Sequence, residues 1–313
     1  MTVSHKGPLA RVDVEFTSLD ARLRGWLYLP DRRPAPVVVM AHGFSATRHM
    51  AIDKYAEALC AAGFAALVYD HRGFGASDGE PRQQVNPWVQ ARGYLDALGF
   101  VTARQEVDAE RIAVWGDSNS AGIASVVAAI DSRVRAAILQ VPSFGEGASA
   151  DDPTGEKFQS LKDTLLAPDV LTFGQPLVGP LPVVSTDQVR QPSALRPLTA
   201  FRWFIEYGGR LGSEWINDVT VALGDRPMPW TPGLAASHLR APTLMIVAPQ
   251  DEMPRSNPMV TRRAFDAIPG AKEWYSIGGG HFGLLYHPSD LFSEAQAVQV
   301  AFLRRCLIDQ QPV

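Results

Sequence analysis

Residues 111–129, RIAVWGDSNSAGIASVVAA, leave the chain little choice of local structure. An apolar run gives way within a few residues to a stretch of small side chains, so a buried strand must turn into a helix almost at once. A turn that tight forces its central residue into a strained backbone conformation and lifts that side chain above the sheet. The central residue is Ser118. Its neighbours two before and two after come into contact and must be small, as Gly116 and Ser120 are. Ala121, Gly122, Ala124 and Ser125 keep the helix thin enough to lie against the strands. A serine that merely caps the next helix would fit the same turn, so the flanking chain has to discriminate.

That flanking chain alternates between strand and helix patterns. Val12, Val14 and Phe16 alternate with polar residues, and after Ser18-Leu19-Asp20 the pattern resumes at Leu23, Leu27 and Leu29, an antiparallel hairpin at one sheet edge. Residues 36–41, 64–69, 112–115 and 134–141 are continuous apolar runs, expected of strands covered on both faces. Residues 87–102 form a one-faced helix through Trp88, Leu95, Leu98 and Val101. This order predicts parallel strands with right-handed crossovers and functional groups at their C-terminal ends. His42, Asp70 and Ser118 fall there. Gly43 lets backbone approach a ligand and leaves the Phe44 N–H on offer, while the His42 side chain reads as a brace within its own loop. The glycine-rich residues 70–79, DHRGFGASDG, precede no phosphate-binding helix, so a nucleotide site is not expected. Asp70 and Arg72 read as loop-shaping.

From about Ser143 to Ala235 the alternation stops. Helices are expected through Phe158, Leu161 and Leu165 after an Asp152-Pro153 cap, from Leu198 to Gly208, and after Ser213 with Trp215, Val219 and Leu223 in line. The strand pattern returns at 242–248 and ends in Pro249-Gln250-Asp251-Glu252. A carboxylate at that point is costly to bury unless paired, so Asp251 is expected to face a proton donor and Glu252, one residue farther on, to point elsewhere. A last strand at 272–277 leads into Gly278-Gly279-Gly280-His281, whose glycines allow a loop to carry an imidazole over the sheet. An amphipathic helix over 291–307 closes the chain.

Together the elbow, His42-Gly43-Phe44, the 70–79 loop, Asp251 after its strand and Gly278–Phe282 resemble the α/β-hydrolase fold, whose nucleophile elbow is written G-x-S-x-G. Ser120 stands where the last glycine would be, a form similar to the dienelactone-hydrolase-like and Xaa-Pro-peptidase-like esterase branch. The resemblance covers nearly everything outside the insertion. It implies an α/β fold with a mostly parallel, roughly eight-stranded sheet, a core of residues 1–143 and 236–313, and a helical cap at 144–235. It implies a triad of Ser118, Asp251 and His281 in that chain order, an oxyanion hole from the Phe44 and Asn119 N–H groups, and hydrolysis of a carboxylic ester, thioester, lactone or amide without cofactor or metal. An ester is the favoured substrate. Other readings stay open: a peptidase or amidase, an epoxide hydrolase or dehalogenase with an aspartate nucleophile, for which Asp117 is adjacent but one residue off the presented position, and a non-catalytic binding protein. The aromatic residues Phe158, Phe201, Trp203, Phe204 and Trp215 of the insertion predict a pocket that prefers medium acyl chains.

Composition adds boundaries. A chain of 313 residues buries ample apolar surface as one domain or as a core with an insertion. Net charge is −4 and the isoelectric point about 6.0, with no dense basic run, which argues against a nucleic-acid partner. The first sixteen residues carry no apolar targeting segment and no run approaches a membrane span. A cytoplasmic protein acting on a small-molecule ester is expected, without nucleic-acid or membrane partner, its oligomeric state open and a homodimer included. Cys60 and Cys306 lie among apolar helical residues and read as buried thiols.

Overall fold

The structure, a computed structural model, describes residues 10–309 apart from 148, 150, 175, 176 and 226. Along the chain run β1 (Ala10–Ser18), β2 (Ala21–Leu29), β3 (Ala35–Ala41), α1 (Ile52–Ala61), β4 (Ala65–Tyr69), a short β5 (Gln84–Val85), α2 (Pro87–Thr102), β6 (Val107–Asp117), α3 (Asn119–Ile130) and β7 (Val134–Gln140). Then follow α4 (Glu156–Leu166), β8 (Leu177–Leu181), α5 (Leu198–Gly208), β9 (Val219–Ala222), β10 (Thr243–Val247), α6 (Pro258–Ala267), β11 (Lys272–Ser276) and α7 (Asp290–Leu303). The main sheet has eight strands in the order β1-β2-β4-β3-β6-β7-β10-β11. β2 is antiparallel to both β1 and β4, and all pairs from β4 to β11 are parallel. The C-terminal ends of β3, β6, β10 and β11 therefore share one edge.

Side-chain alternation divides the core in two. Along β3, Val37, Val39 and Ala41 point to one face and Val38 and Met40 to the other. The first face is covered by α2 and α3 through Trp88, Tyr94, Leu98, Ile123 and Val127. The second is covered by α1 and α7 through Tyr55, Leu59, Phe292 and Phe302. Each such side chain contributes roughly 1.5–3 kcal/mol by leaving water, so runs apolar on both faces mark the central strands. Local chemistry fixes where helices begin. Asn86 caps Trp88 and Val89 N–H ahead of α2, Asn257 caps Met259 N–H ahead of α6, and each is followed by a proline in the first turn.

In the insertion, two of three expected helices form. α4 starts later than the Asp152-Pro153 pair suggests, because Gly155 takes the left-handed conformation before it, but Asp152 still accepts from Lys157 and Phe158 N–H. The helix expected after Ser213 is replaced. Val219–Ala222 is β9, which joins β5 and β8 in a separate three-stranded sheet, and Ser213 donates instead to the Gly208 carbonyl. Over so few residues a helical stripe and a strand cannot be told apart by spacing. The β-branched Val219-Thr220-Val221 and the bond from Thr220 N–H to Gln83 O decide for the strand. The last helix is regular to Leu303 and ends in a π turn over Arg304–Ile308. Cys60 is buried, Cys306 only half-buried, and the two form no disulfide. No helix of the described residues is long and apolar enough to cross a membrane.

Candidate active site

β6 runs directly into the elbow, and Ser118 stands between it and α3 with φ 56° and ψ −118°. A non-glycine residue stays in that region only when the surrounding bonds hold it there. Ser118 N–H donates to Gln140 O at 2.9 Å, and its carbonyl accepts from Ala121, Gly122 and Ser143 N–H at 3.1, 3.3 and 3.0 Å. Gly116 is obligatory, since a Cβ there would collide with the Ser120 carbonyl.

The loop after β11 brings His281 over this turn. Its Nε2 lies 2.8 Å from Ser118 Oγ and its Nδ1 2.8 Å from Asp251 Oδ2. With the Nδ1 hydrogen given to the carboxylate, Nε2 is left to accept from the serine hydroxyl. The other Asp251 oxygen accepts Met253 N–H at 2.9 Å. Glu252 does not point elsewhere, as its place one residue farther on suggests. Its Oε2 accepts His281 N–H at 2.8 Å and its Oε1 accepts the hydroxyl of Thr199, at the start of α5. Gly280, with φ 69°, makes room, because a Cβ would stand 2.7 Å from that Oε2. The third glycine of the run is the sequence signal for this approach, although it does not say what approaches.

Phe44 follows Gly43 beyond β3, and Asn119 opens α3. Neither N–H has an acceptor among the described residues. Gly43 lies so close to the elbow that a Cβ would meet Asp117 O, Asp117 Oδ2 and Ser118 Cβ at 3.1 to 3.3 Å. The Asn119 side chain turns to α2, donating to Gln90 Oε1 at 3.1 Å. His42 braces its own loop through Nδ1 and Gly43 O, 2.9 Å apart. Asp70 accepts from Arg48 and from Ala76 N–H, and Arg72 pairs with Asp20 at 2.7 Å, so both shape their loop as expected. Asp117 is buried and accepts from Gln140 Nε2 at 2.8 Å. Gln140 is in turn held by Gln299 at 2.8 Å, and Gln299 by Trp115 Nε1 at 3.0 Å.

The cavity above Ser118 measures about 30 Å³, and its walls include Phe44, Met50, Leu195, Trp203, Phe204 and Leu285. That is room for a water or two, not for an acyl chain. Trp203 meets Phe204 edge to face at 4.9 Å between ring centroids and Phe282 at a tilt at 5.4 Å, and the three rings together narrow the space they line. Of the five aromatic residues expected to shape a pocket, only Trp203 and Phe204 line it. Phe158 stacks on His238 under α4, and Trp215 packs behind Phe204 against Gly208.

A model of the alpha/beta hydrolase fold matches residues 36–288. The chain is a member of the alpha/beta hydrolase family. It is 30% identical over 311 residues to the quorum-quenching protein AidA of Acinetobacter baumannii, covering 95% of this chain and 96% of that one. It is 29% identical over 298 residues to a thiohydrolase of Eupenicillium brefeldianum, covering 92% of each. Among solved structures it resembles the alpha/beta hydrolase GrgF of Penicillium sp. sh18, with a TM-score of 0.74, 27% identity and coverage of 96% of this chain and 99% of that one.

In this hydrolase the charges around His281 oppose its burial. Desolvation alone would pull the imidazole down, but the Asp251 hydrogen bond and charge, with the Asp117 and Glu252 carboxylates, hold it above its ordinary value. Its ion pair stabilises the fold fully below the unfolded value of about 6.5 and is lost as pH rises through the higher folded value. Protonated His281 cannot accept a proton, so the acid limb of the rate profile is expected to have its midpoint above about 6.5. A kcat/KM profile whose limb lies below that value would contradict this placement of charges.

Asp117 shows the converse. Burial pushes its carboxyl up to about 6, against the opposing pull of His281 and Gln140. An acid raised in this way favours the folded state while protonated, and that advantage disappears as pH rises from the unfolded value towards 6. Asp117→Asn is therefore expected to gain stability relative to the parent above pH 6, by roughly 3 kcal/mol, and to lose most of that advantage near pH 4. Denaturant melts at the two pH values check it, an equal difference at both being the contrary outcome.

The hydrolase cavity yields another expectation. Phe204→Ala should extend the range of acyl lengths accepted, with roughly 1 kcal/mol of selectivity per added methylene until the new space fills. Phe158→Ala, remote from the cavity, should change stability and leave the chain-length profile alone. Rates along a p-nitrophenyl ester series compare the two, and identical profiles would remove Phe204 from the acyl path.

Proposed function

We propose that the protein is a serine hydrolase that cleaves carboxylic esters and thioesters through an acyl-Ser118 intermediate. The observation that supports it most is the line Asp251–His281–Ser118, with both links at 2.8 Å. Ser118 Oγ bonds to the acyl carbon as its proton passes to His281 Nε2, and Asp251 holds the imidazole tautomer and stabilises the cation. The carbonyl oxygen becomes an oxyanion met by the Phe44 and Asn119 N–H groups. Collapse breaks the bond to the leaving group, which departs as alcohol or thiol with the proton from His281. Water then gives its proton to His281 and attacks the acyl-serine, releasing the acid and restoring Ser118. In this reading residues 1–143 and 236–313 supply the reacting groups and 144–235 the cover. No resident cofactor takes part in any step.

Ester and thioester both suit the geometry, and the relative named a thiohydrolase adds weight to the thioester. A thiolate leaves more readily than an amine, so an amide would demand more of His281 as an acid. Attack by Asp117 is disfavoured because Ser118, and not Asp117, stands on His281 Nε2. The test is labelling with a fluorophosphonate, followed by kcat/KM on matched oxoesters and thioesters. Stoichiometric labelling that Ser118→Ala removes is expected. An unlabelled parent, or labelling that survives Ser118→Ala, overturns the proposal.

A further inference from the structure

We propose that the Ser120 hydroxyl is a positioning group for the oxyanion hole, strapping the loop that carries Phe44 to the helix that carries Asn119. The inference rests on the serine-hydrolase reading and assigns work to the one residue at which the elbow departs from G-x-S-x-G. Ser120 is the second residue of α3, directly after Asn119. Its hydroxyl donates to the carbonyl of His42, two residues before Phe44. One side chain thus joins the two segments whose backbone N–H groups must converge on a single oxygen.

The surrounding bonds fix the direction of that strap. The only Ser120 hydroxyl hydrogen goes to His42 O, so the 3.2 Å contact with His71 Nε2 has the imidazole donating and the serine oxygen accepting. His71 N–H donates to His42 Nε2 at 3.2 Å, which leaves the His42 proton on Nδ1, donating to Gly43 O at 2.9 Å. The carbonyls of both residues that precede Phe44 are thereby engaged. His42, His71 and Ser120 are all 0% exposed, so no water competes for these bonds. Burial also pulls both imidazoles down, His42 to about 4, which keeps them neutral and the direction of donation constant at neutral pH. Without the hydroxyl, nothing else from α3 holds the His42 carbonyl among the described residues. The loop could then drift by fractions of an ångström. Donor placement at that scale governs how well a developing oxyanion is held.

The experiment compares the parent with Ser120→Ala, and with Ser120→Gly, the residue usual at that point of the elbow, should the alanine variant fail to fold. Each is assayed on an oxoester and on its thionoester, whose C=S accepts hydrogen bonds weakly and so gains little from an oxyanion hole. The expected result is a loss of about tenfold or more in kcat on the oxoester, little change in KM, a much smaller loss on the thionoester, and an unmoved acid limb. Affinity for a trifluoromethyl ketone analogue should fall in parallel with oxoester kcat/KM. Equal losses on both substrates would leave Ser120 a purely structural residue and overturn the proposal, as would full oxoester activity in both variants. Fluorophosphonate labelling of the parent separates this from failure of the underlying reading, since a labelled parent with an unchanged oxoester-to-thionoester ratio sinks the strap alone.

Discussion

Ser118→Ala is expected to remove ester and thioester turnover, with a loss of roughly 10⁴-fold or more where chemistry limits the rate. The side chain deleted is the one held at φ 56° and aimed at His281 Nε2, 2.8 Å away. Removing it leaves the oxyanion donors and the binding surface intact, so a small residual rate is part of the expectation. The loss should appear in kcat, because the hydroxyl acts on the reacting carbon and contributes little to ground-state binding. Asp117→Asn should by contrast retain most activity. Intact turnover with Ser118→Ala and lost turnover with Asp117→Asn would move the nucleophile one residue along the chain and end the serine reading.

Asp251→Asn carries the second large effect, about 10³- to 10⁴-fold in kcat. An amide at this position can turn its NH₂ towards His281 Nδ1, which places the imidazole hydrogen on Nε2, where it faces the serine and cannot accept. The same change removes the hydrogen bond and charge that hold His281 above its ordinary value. The acid limb of whatever activity survives should accordingly move to lower pH. Full kcat together with an unmoved limb would show that the Asp251 contact at 2.8 Å has no hold on the imidazole.

The strands were legible because the central ones are buried on both faces and so are apolar throughout, as at Val37–Met40. The elbow was legible because close packing leaves Gly116 no alternative. Asp251 and His281 were legible by their places after strands that end on one edge. Glu252 was misread because a step of one residue says nothing about loop direction, and only the folded loop turns its carboxylate to His281 N–H and Thr199. β9 was misread because four residues of Val, Thr, Val and Ala carry no decisive period, and their partner Gln84–Val85 lies far away in sequence. The aromatic content of the insertion announced a pocket. Whether the rings line a space or close it depends on their mutual stacking, which spacing does not encode.

Acid quenching during turnover of a slow ester, followed by peptide mass mapping, tests the central claim most directly. The account predicts that the peptide containing Ser118 gains the mass of the acyl group, and that Ser118→Ala shows no such gain. An unmodified Ser118 throughout, with ¹⁸O from labelled water entering the Asp117 carboxylate instead, would contradict it.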